Sequence, residues 1–178
     1  MKISKQLSAV ALILTALCLP ATVFAAPAGS IDQAKNGSAS APTSPVEWVN
    51  GNLGSQNSHY ATSYSVPFRV TLSDLSVGAH TVEIEWDIKH SGKHAYDYIT
   101  DYNRFEPHAS LWGHAAETVD PTFGFAGLSA ATTFAIPAPS SAGSPVSGQP
   151  TTSFNALPAT ERKMTIWNGT ITGLSYVS

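Results

Sequence analysis

Alternation of apolar and polar residues dominates this chain, and Thr81 to Lys89 is its clearest instance: Val82, Ile84, Trp86 and Ile88 alternate with Glu83, Glu85, Asp87 and Lys89. Successive side chains of a strand point to opposite faces, so this spacing predicts a strand with one face on a core and the other in water. Just upstream, Phe68, Val70 and Leu72 alternate in the same way with Arg69, Thr71 and Ser73. Pairing the two runs through Asp74 to Ala79 keeps the apolar side chains on one face and sets Arg69 opposite Glu83 as a cross-strand ion pair. A second hairpin is predicted over Met164 to Gly173, where Asn168-Gly169 supplies the two positive-φ residues of a type I′ turn. Shorter strand candidates are Ala109 to Trp112, Thr122 to Phe125 and Thr132 to Ile136, and the Pro, Ser and Gly of Pro137 to Thr152 predict a long surface loop. His94 to Phe105 is the helix candidate, with Ala95, Tyr98, Ile99 and Tyr102 at helical spacing, although a strand fits it almost as well. Many short strands between Gly and Pro turns predict a mostly β chain: an antiparallel β-sandwich, Ig-like or jelly-roll-like, with at most one short helix.

The N-terminus has a different pattern. Lys2 and Lys5 precede an apolar run from Leu7 to Leu19, Pro20 breaks it, and Val23-Phe24-Ala25 offers small residues for signal peptidase. Met1 to Ala25 therefore reads as a cleaved export signal; the run is well short of the roughly 20 residues a membrane-spanning helix needs. A lipoprotein signal at Cys18 is disfavoured by the bulky Leu17 before it. Removing the signal removes Cys18, so the mature chain is cysteine-free, with no disulfide and no thiolate chemistry. Ala26 to Pro45, made largely of Ala, Ser, Pro and Gly, is expected to be a flexible spacer before a single domain from Val46 to Ser178. The chain stops at Ser178 inside a strand-like run, which suggests either a piece of a longer protein or an open edge for a partner.

Composition narrows the partners. Charged residues make up 12% of the 178, and the net charge of −3 becomes −5 once Lys2 and Lys5 leave with the signal. An acidic, sparsely charged chain lacks the basic footprint of a nucleic-acid binder and suits a polysaccharide or another surface protein instead.

The densest chemistry lies between His90 and Tyr102. On a helix starting at His94, the side chains of His94, Asp97 and Asp101 would share a face, with His90 reaching in from the preceding strand; this set is the metal-site candidate, for zinc or calcium. His108 and His114 come next in line. The competing reading needs no cofactor: His94 and Asp97 hydrogen-bond each other or a loop backbone. Glu83, Glu85 and Asp87, about 7 Å apart along a strand face, are better read as a solvated stripe than as paired catalytic carboxylates. Trp112 and Trp167 are candidates for stacking on sugar rings, alongside Trp48, Tyr96 and Tyr102. Ser91-Gly92-Lys93 lacks the first glycine of a phosphate-binding loop, Gly127-Leu128-Ser129 lacks the second glycine of a nucleophile elbow, and no His-Glu-x-x-His motif occurs.

The segments Glu47 to Leu53, His59-Tyr60, Ser65 to Arg69, His80 to Asp87 and Gly92 to Tyr98, with a return at Thr165 to Tyr176, resemble a group of secreted bacterial proteins without an assigned activity. In that group such a β-rich module sits near the N-terminus of longer surface or extracellular chains. The resemblance implies an extracellular β module and brings no catalytic residues; this chain departs from it in being short. The expectation is a non-enzymatic secreted or cell-surface module acting in binding, adhesion or as structure. The alternatives are a carbohydrate-binding module and a metal-assisted hydrolase using His90, His94, Asp97 and Asp101.

Overall fold

The central strand of the main sheet, Ala28–Ser38, has Ala, Gly or Ser at six of its 11 positions. The computed structural model describes residues 25–62, 64–104, 108–139 and 149–176, so the predicted export signal before Ala25 and the last two residues lie outside it. The elements are β1 (Ala28–Ser38), β2 (Ala41–Val49), β3 (Phe68–Ser73), β4 (Lys89–His90), β5 (Lys93–His94), α1 (His108–Trp112), β6 (Thr132–Ala135), α2 (Thr151–Ala156) and β7 (Lys163–Ile166). Strands predominate over short helices, in three small, unclosed antiparallel sheets ordered β2-β1-β3, β4-β5 and β6-β7. No helix among the described residues is long and apolar enough to cross a membrane.

The segment Ala26 to Pro45, expected as a spacer, instead holds β1 and the start of β2, with β1 central. Composition registers what side chains can bury, but a central strand also satisfies both rows of its backbone donors and acceptors, and for that Ala, Ser and Gly serve. Ala34 and Asn36 are fully buried while Lys35 between them pairs with Glu47 across the strand, so β1 alternates as a half-buried strand does.

β3 likewise takes a different partner from the one predicted. It pairs with β1, which sets Arg69 opposite Asp32 rather than Glu83. The Arg69 Nε donates to Asp32 Oδ2 at 3.0 Å and Nη1 to the Phe123 carbonyl at 2.7 Å, and the guanidinium lies 4.8 Å from the Trp48 ring centre and 5.0 Å from that of Phe125. A half-buried guanidinium gains more from a carboxylate, a carbonyl and two ring faces than from an exposed Glu on an adjacent strand.

The type I′ geometry falls at Ser91 (φ 50°) and Gly92 (φ 76°), between β4 and β5. Asn168 also has positive φ, at 56°, yet its side chain accepts the Ser129 N–H at 2.7 Å, and β7 pairs with β6 instead of folding back on Ile171. The helix expected over His94 to Phe105 does not form in its described part: Ala95 and Tyr96 donate their N–H groups to the carbonyls of Ile88 and Asp87, extending the β4-β5 ribbon. Ala109 to Trp112, expected as a strand, belongs to α1, and Thr122 to Phe125 lies in a turn region. Within the expected loop Pro137 to Thr152, residues 140–148 lie outside the described residues, and α2 begins at its end, burying Phe154 against Tyr98.

Ala34, Val46, Ile88, Ala109, Ile136 and Phe154 are buried, but so are Asn36, His59, Asp101, His108 and Glu117. Buried polar groups on that scale need partners. Four of the five lie together.

Candidate metal centre

Four separate pieces of chain deliver this cluster. The first is the end of β1, where Gly37 sits at φ 79° in a bulge of the β1-β2 ladder. A Cβ there would lie 2.3 Å from the Ala41 carbonyl, so only glycine fits. The second is a turn at Gly54 to Ser58: Asn57 Oδ1 accepts the Gly54 N–H at 2.7 Å, and the Asn57 carbonyl accepts the Gly37 N–H at 3.1 Å. This turn sets His59 against the end of β1. The third piece is α1, which opens with fully buried His108 and is closed by Gly113 at φ 74°, the N–H groups of Gly113 and His114 both reaching the Ala109 carbonyl. One helical turn followed by a left-handed residue brings His114 back beside His108, ring centres 5.6 Å apart. The last is Ala116 to Thr118, tied to β2 by Val46 N–H to the Thr118 carbonyl and Thr118 N–H to Ser44 Oγ, which aims Glu117 inward.

The result is a group of His59, His108, His114 and Glu117 whose potential ligand atoms all lie within 4.8 Å of one another. His59 Nε2 is 2.9 Å from His114 Nε2 and 3.0 Å from Glu117 Oε1; His108 Nε2 is 3.2 Å from Glu117 Oε2. The side chains of His59, His108 and Glu117 are at most 2% exposed and that of His114 12%.

Hydrogen bonds around the group dictate its proton inventory. His59 Nδ1 meets the Gly37 carbonyl at 2.8 Å and His114 Nδ1 meets the Ala115 carbonyl at 2.8 Å. A carbonyl only accepts, so Nδ1 carries the proton on both rings and, in the neutral tautomer, both Nε2 atoms are bare. Asn36 differs, meeting His108 at Nε2 itself. Its Oδ1 accepts the His59 N–H at 3.1 Å, which leaves Nδ2 as the group facing His108 Nε2 at 3.2 Å and Glu117 Oε1 at 3.4 Å. Two bare Nε2 atoms, of His59 and His114, thus crowd against the His108 ring and a buried carboxylate. Lone pairs 2.9 Å apart repel unless a cation lies between them, and Glu117 Oε2 has no hydrogen-bond donor to quench it. Either a metal ion or an imidazolium proton must supply the positive charge.

The donor set discriminates between metals. Calcium takes six to eight oxygens and is poorly served by three nitrogens; imidazole with one carboxylate suits zinc and its transition-metal neighbours. Bonds of about 2.0 Å in a tetrahedron place ligand atoms roughly 3.3 Å apart, close to the shorter separations found here. Backbone carbonyls on the outer nitrogens of His59 and His114 are the outer contacts that fix ligand rings in metal sites, whereas the Asn36 amide meets His108 at Nε2, the atom a metal would take, and would give way to it.

The residues singled out from sequence are placed elsewhere. His94 Nδ1 and Asp97 Oδ1 meet at 2.8 Å on the surface. His90 faces Lys93 and His94 faces Lys89 across the β4-β5 ribbon, so the two imidazoles leave on opposite faces. Asp101 is buried 3.6 Å from the Lys163 ammonium and accepts the Asn103 N–H. The grouping of metal-ligand side chains among the described residues is the one at His59. His108 and His114 were second in line in the sequence, whereas His59 and Glu117 gave no signal beyond the three-residue step from His114 to Glu117. Of the stacking candidates, Trp112 is half exposed and Trp167 packs toward Tyr102, ring centres 6.3 Å apart. Trp48 is spoken for, its Nε1 donating to the Asp120 carbonyl at 2.8 Å beneath Arg69.

No family model, no curated protein and no solved structure matches this chain.

Proposed function

We propose that this protein is a non-enzymatic β module, of sandwich type, of a secreted or cell-surface bacterial protein, and that a transition-metal ion, zinc by its donors, clamps it together at His59, His108, His114 and Glu117. The observation that carries the reading is the convergence of three imidazoles and one carboxylate in a buried place, with Nδ1 of His59 and of His114 each held by a backbone carbonyl. Four protein donors fill a tetrahedron. Catalytic zinc keeps a position for water, and a closed set is the mark of a structural ion, which is why binding or structure is preferred to hydrolysis.

The export-like N-terminus and the resemblance to secreted bacterial chains support the location. Imidazole and carboxylate ligands suit it, since they survive an oxidising medium that would consume thiolates, and the chain without its signal has no cysteine. In this reading the metal substitutes for a disulfide: it joins the chain at the end of the Gly54 to Ser58 turn, α1 and the Ala116 to Thr118 segment.

The test is metal content and thermal unfolding of the purified protein. One equivalent of zinc is expected, and a melting temperature higher by on the order of 10 °C in zinc at a thousandfold excess over Kd than in chelator. A melt indifferent to zinc and chelator, with no bound metal, would assign the cluster to an imidazolium-carboxylate network and overturn the metal reading.

A further inference from the structure

Two shallow depressions run together on the surface beside the metal centre. One, of about 440 Å³, is lined by Trp112, Tyr96, Ser55 and Ser58, with His59 and Tyr60 among its other walls. The second, of about 530 Å³, continues past the shared Leu53 and Tyr96 to Gln33 and Asn52. Together they form an elongated, open groove, each part within the roughly 300–1,000 Å³ of small-molecule sites.

We propose that this groove binds a neutral saccharide chain, with sugar rings against Trp112 and Tyr96 and hydroxyls to the Ser55, Ser58, Asn52 and Gln33 side chains. Trp112 and Tyr96 are 50% and 45% exposed, and large aromatics left open to water in one concavity indicate a surface waiting for a partner. Among the described residues no Asp, Glu, Lys or Arg lines either depression, so the electrostatics favour an uncharged ligand over phosphate, nucleic acid or an acidic polysaccharide. A buried drug-like molecule wants enclosure on most sides, whereas a chain of sugar rings needs aromatic faces, amides and hydroxyls along an open track. The Tyr96 phenol, its pKa pushed up by burial, stays a neutral donor.

The proposal rests on the metal reading in one respect: His59 on one wall and His108 at the start of α1, which carries Trp112, are both metal ligands, so the ion sets the separation of the walls.

The experiment is native affinity electrophoresis of the purified, zinc-loaded protein in gels containing soluble neutral β-glucan, xylan or mannan, with polygalacturonate as the charged comparison. Retardation by at least one neutral polysaccharide is expected, weakened about tenfold by Trp112→Ala and by Tyr96→Ala, with zinc content unchanged in both variants. Retardation by none of the neutral polymers, retardation untouched by both substitutions, or equal retardation by polygalacturonate would overturn the proposal. Retardation by a protein that binds no zinc would keep the groove and remove the clamp; one equivalent of zinc without retardation would do the reverse.

Discussion

Two regions of this molecule gather histidines and carboxylates, and they behave oppositely. Between His90 and Asp101 the chemistry is dense in sequence, yet in space it yields one exposed His94 to Asp97 contact at 2.8 Å and a separate Asp101 facing Lys163. Between His59 and Glu117 it is spread over three pieces of chain, yet it converges within 4.8 Å and is buried. Neighbours on a β ribbon point away from each other by the geometry of the pleat, so residues close in sequence are a poor source of convergent ligands there. Segments brought together by a bulge, a turn and a helix end can aim side chains at a common point. Burial then decides what the group is: an exposed His-Asp pair exchanges readily with water, whereas a buried carboxylate among bare nitrogens requires a cation.

The sharpest break of this contrast is Glu117→Gln. It removes the anion and should abolish zinc-dependent stabilisation, a loss on the order of 4 kcal/mol at a thousandfold excess of zinc over Kd, read as the disappearance of the zinc-dependent rise in melting temperature. His59→Gln should do the same, and retention of one zinc equivalent in either variant would show that the cluster is not the site. Next comes Gly37→Ala, which forces a Cβ to within 2.3 Å of the Ala41 carbonyl at a backbone φ of 79°. It should cost about 3 kcal/mol in denaturant unfolding with or without metal, because the bulge that presents its carbonyl to His59 cannot form.

A smaller effect is expected from Asn36→Ala, which leaves all four ligands and removes the amide that holds His59 and His108 in place. About 2 kcal/mol of stability, measured by denaturant unfolding, follows from losing a buried hydrogen-bonding partner, with one equivalent of zinc still bound. The smallest belongs to the other region: His94→Ala should change stability by less than about 1 kcal/mol and leave zinc stoichiometry alone. A fall in zinc content in that variant would reverse the comparison.

How far the residues spoke for themselves differs from element to element. The clearest alternating run, Thr81 to Lys89, forms no strand before Lys89 and leaves Val82 and Ile84 exposed, whereas β3 coincides with the run Phe68 to Ser73 as read. Its partner does not follow, since alternation fixes which face is buried and not which strand lies alongside. β1 was illegible because Ala, Ser and Gly carry little hydrophobic signal, and their contribution as a central strand is made by the backbone. The Ser91-Gly92 turn and the Asn168-Gly169 turn look alike locally; a side-chain bond from Ser129 to Asn168 separates them. Trp112, a stacking candidate on sequence grounds, lies half exposed in a groove, whereas nothing local marks His59 or Glu117, since their meaning depends on neighbours 49 residues or more from His59.

The sequence by itself thus determined the material: a strand-forming chain, poor in charge, whose one cysteine lies in the export-like N-terminus, with six histidines for any metal chemistry. Only the tertiary structure decided which histidines meet. Local propensity acts over a few residues, whereas a ligand set needs groups from distant segments to share a volume about 5 Å across. That volume is fixed by a glycine bulge, a capped helical turn and two hydrogen bonds to β2, none of which leaves a periodic trace along the chain.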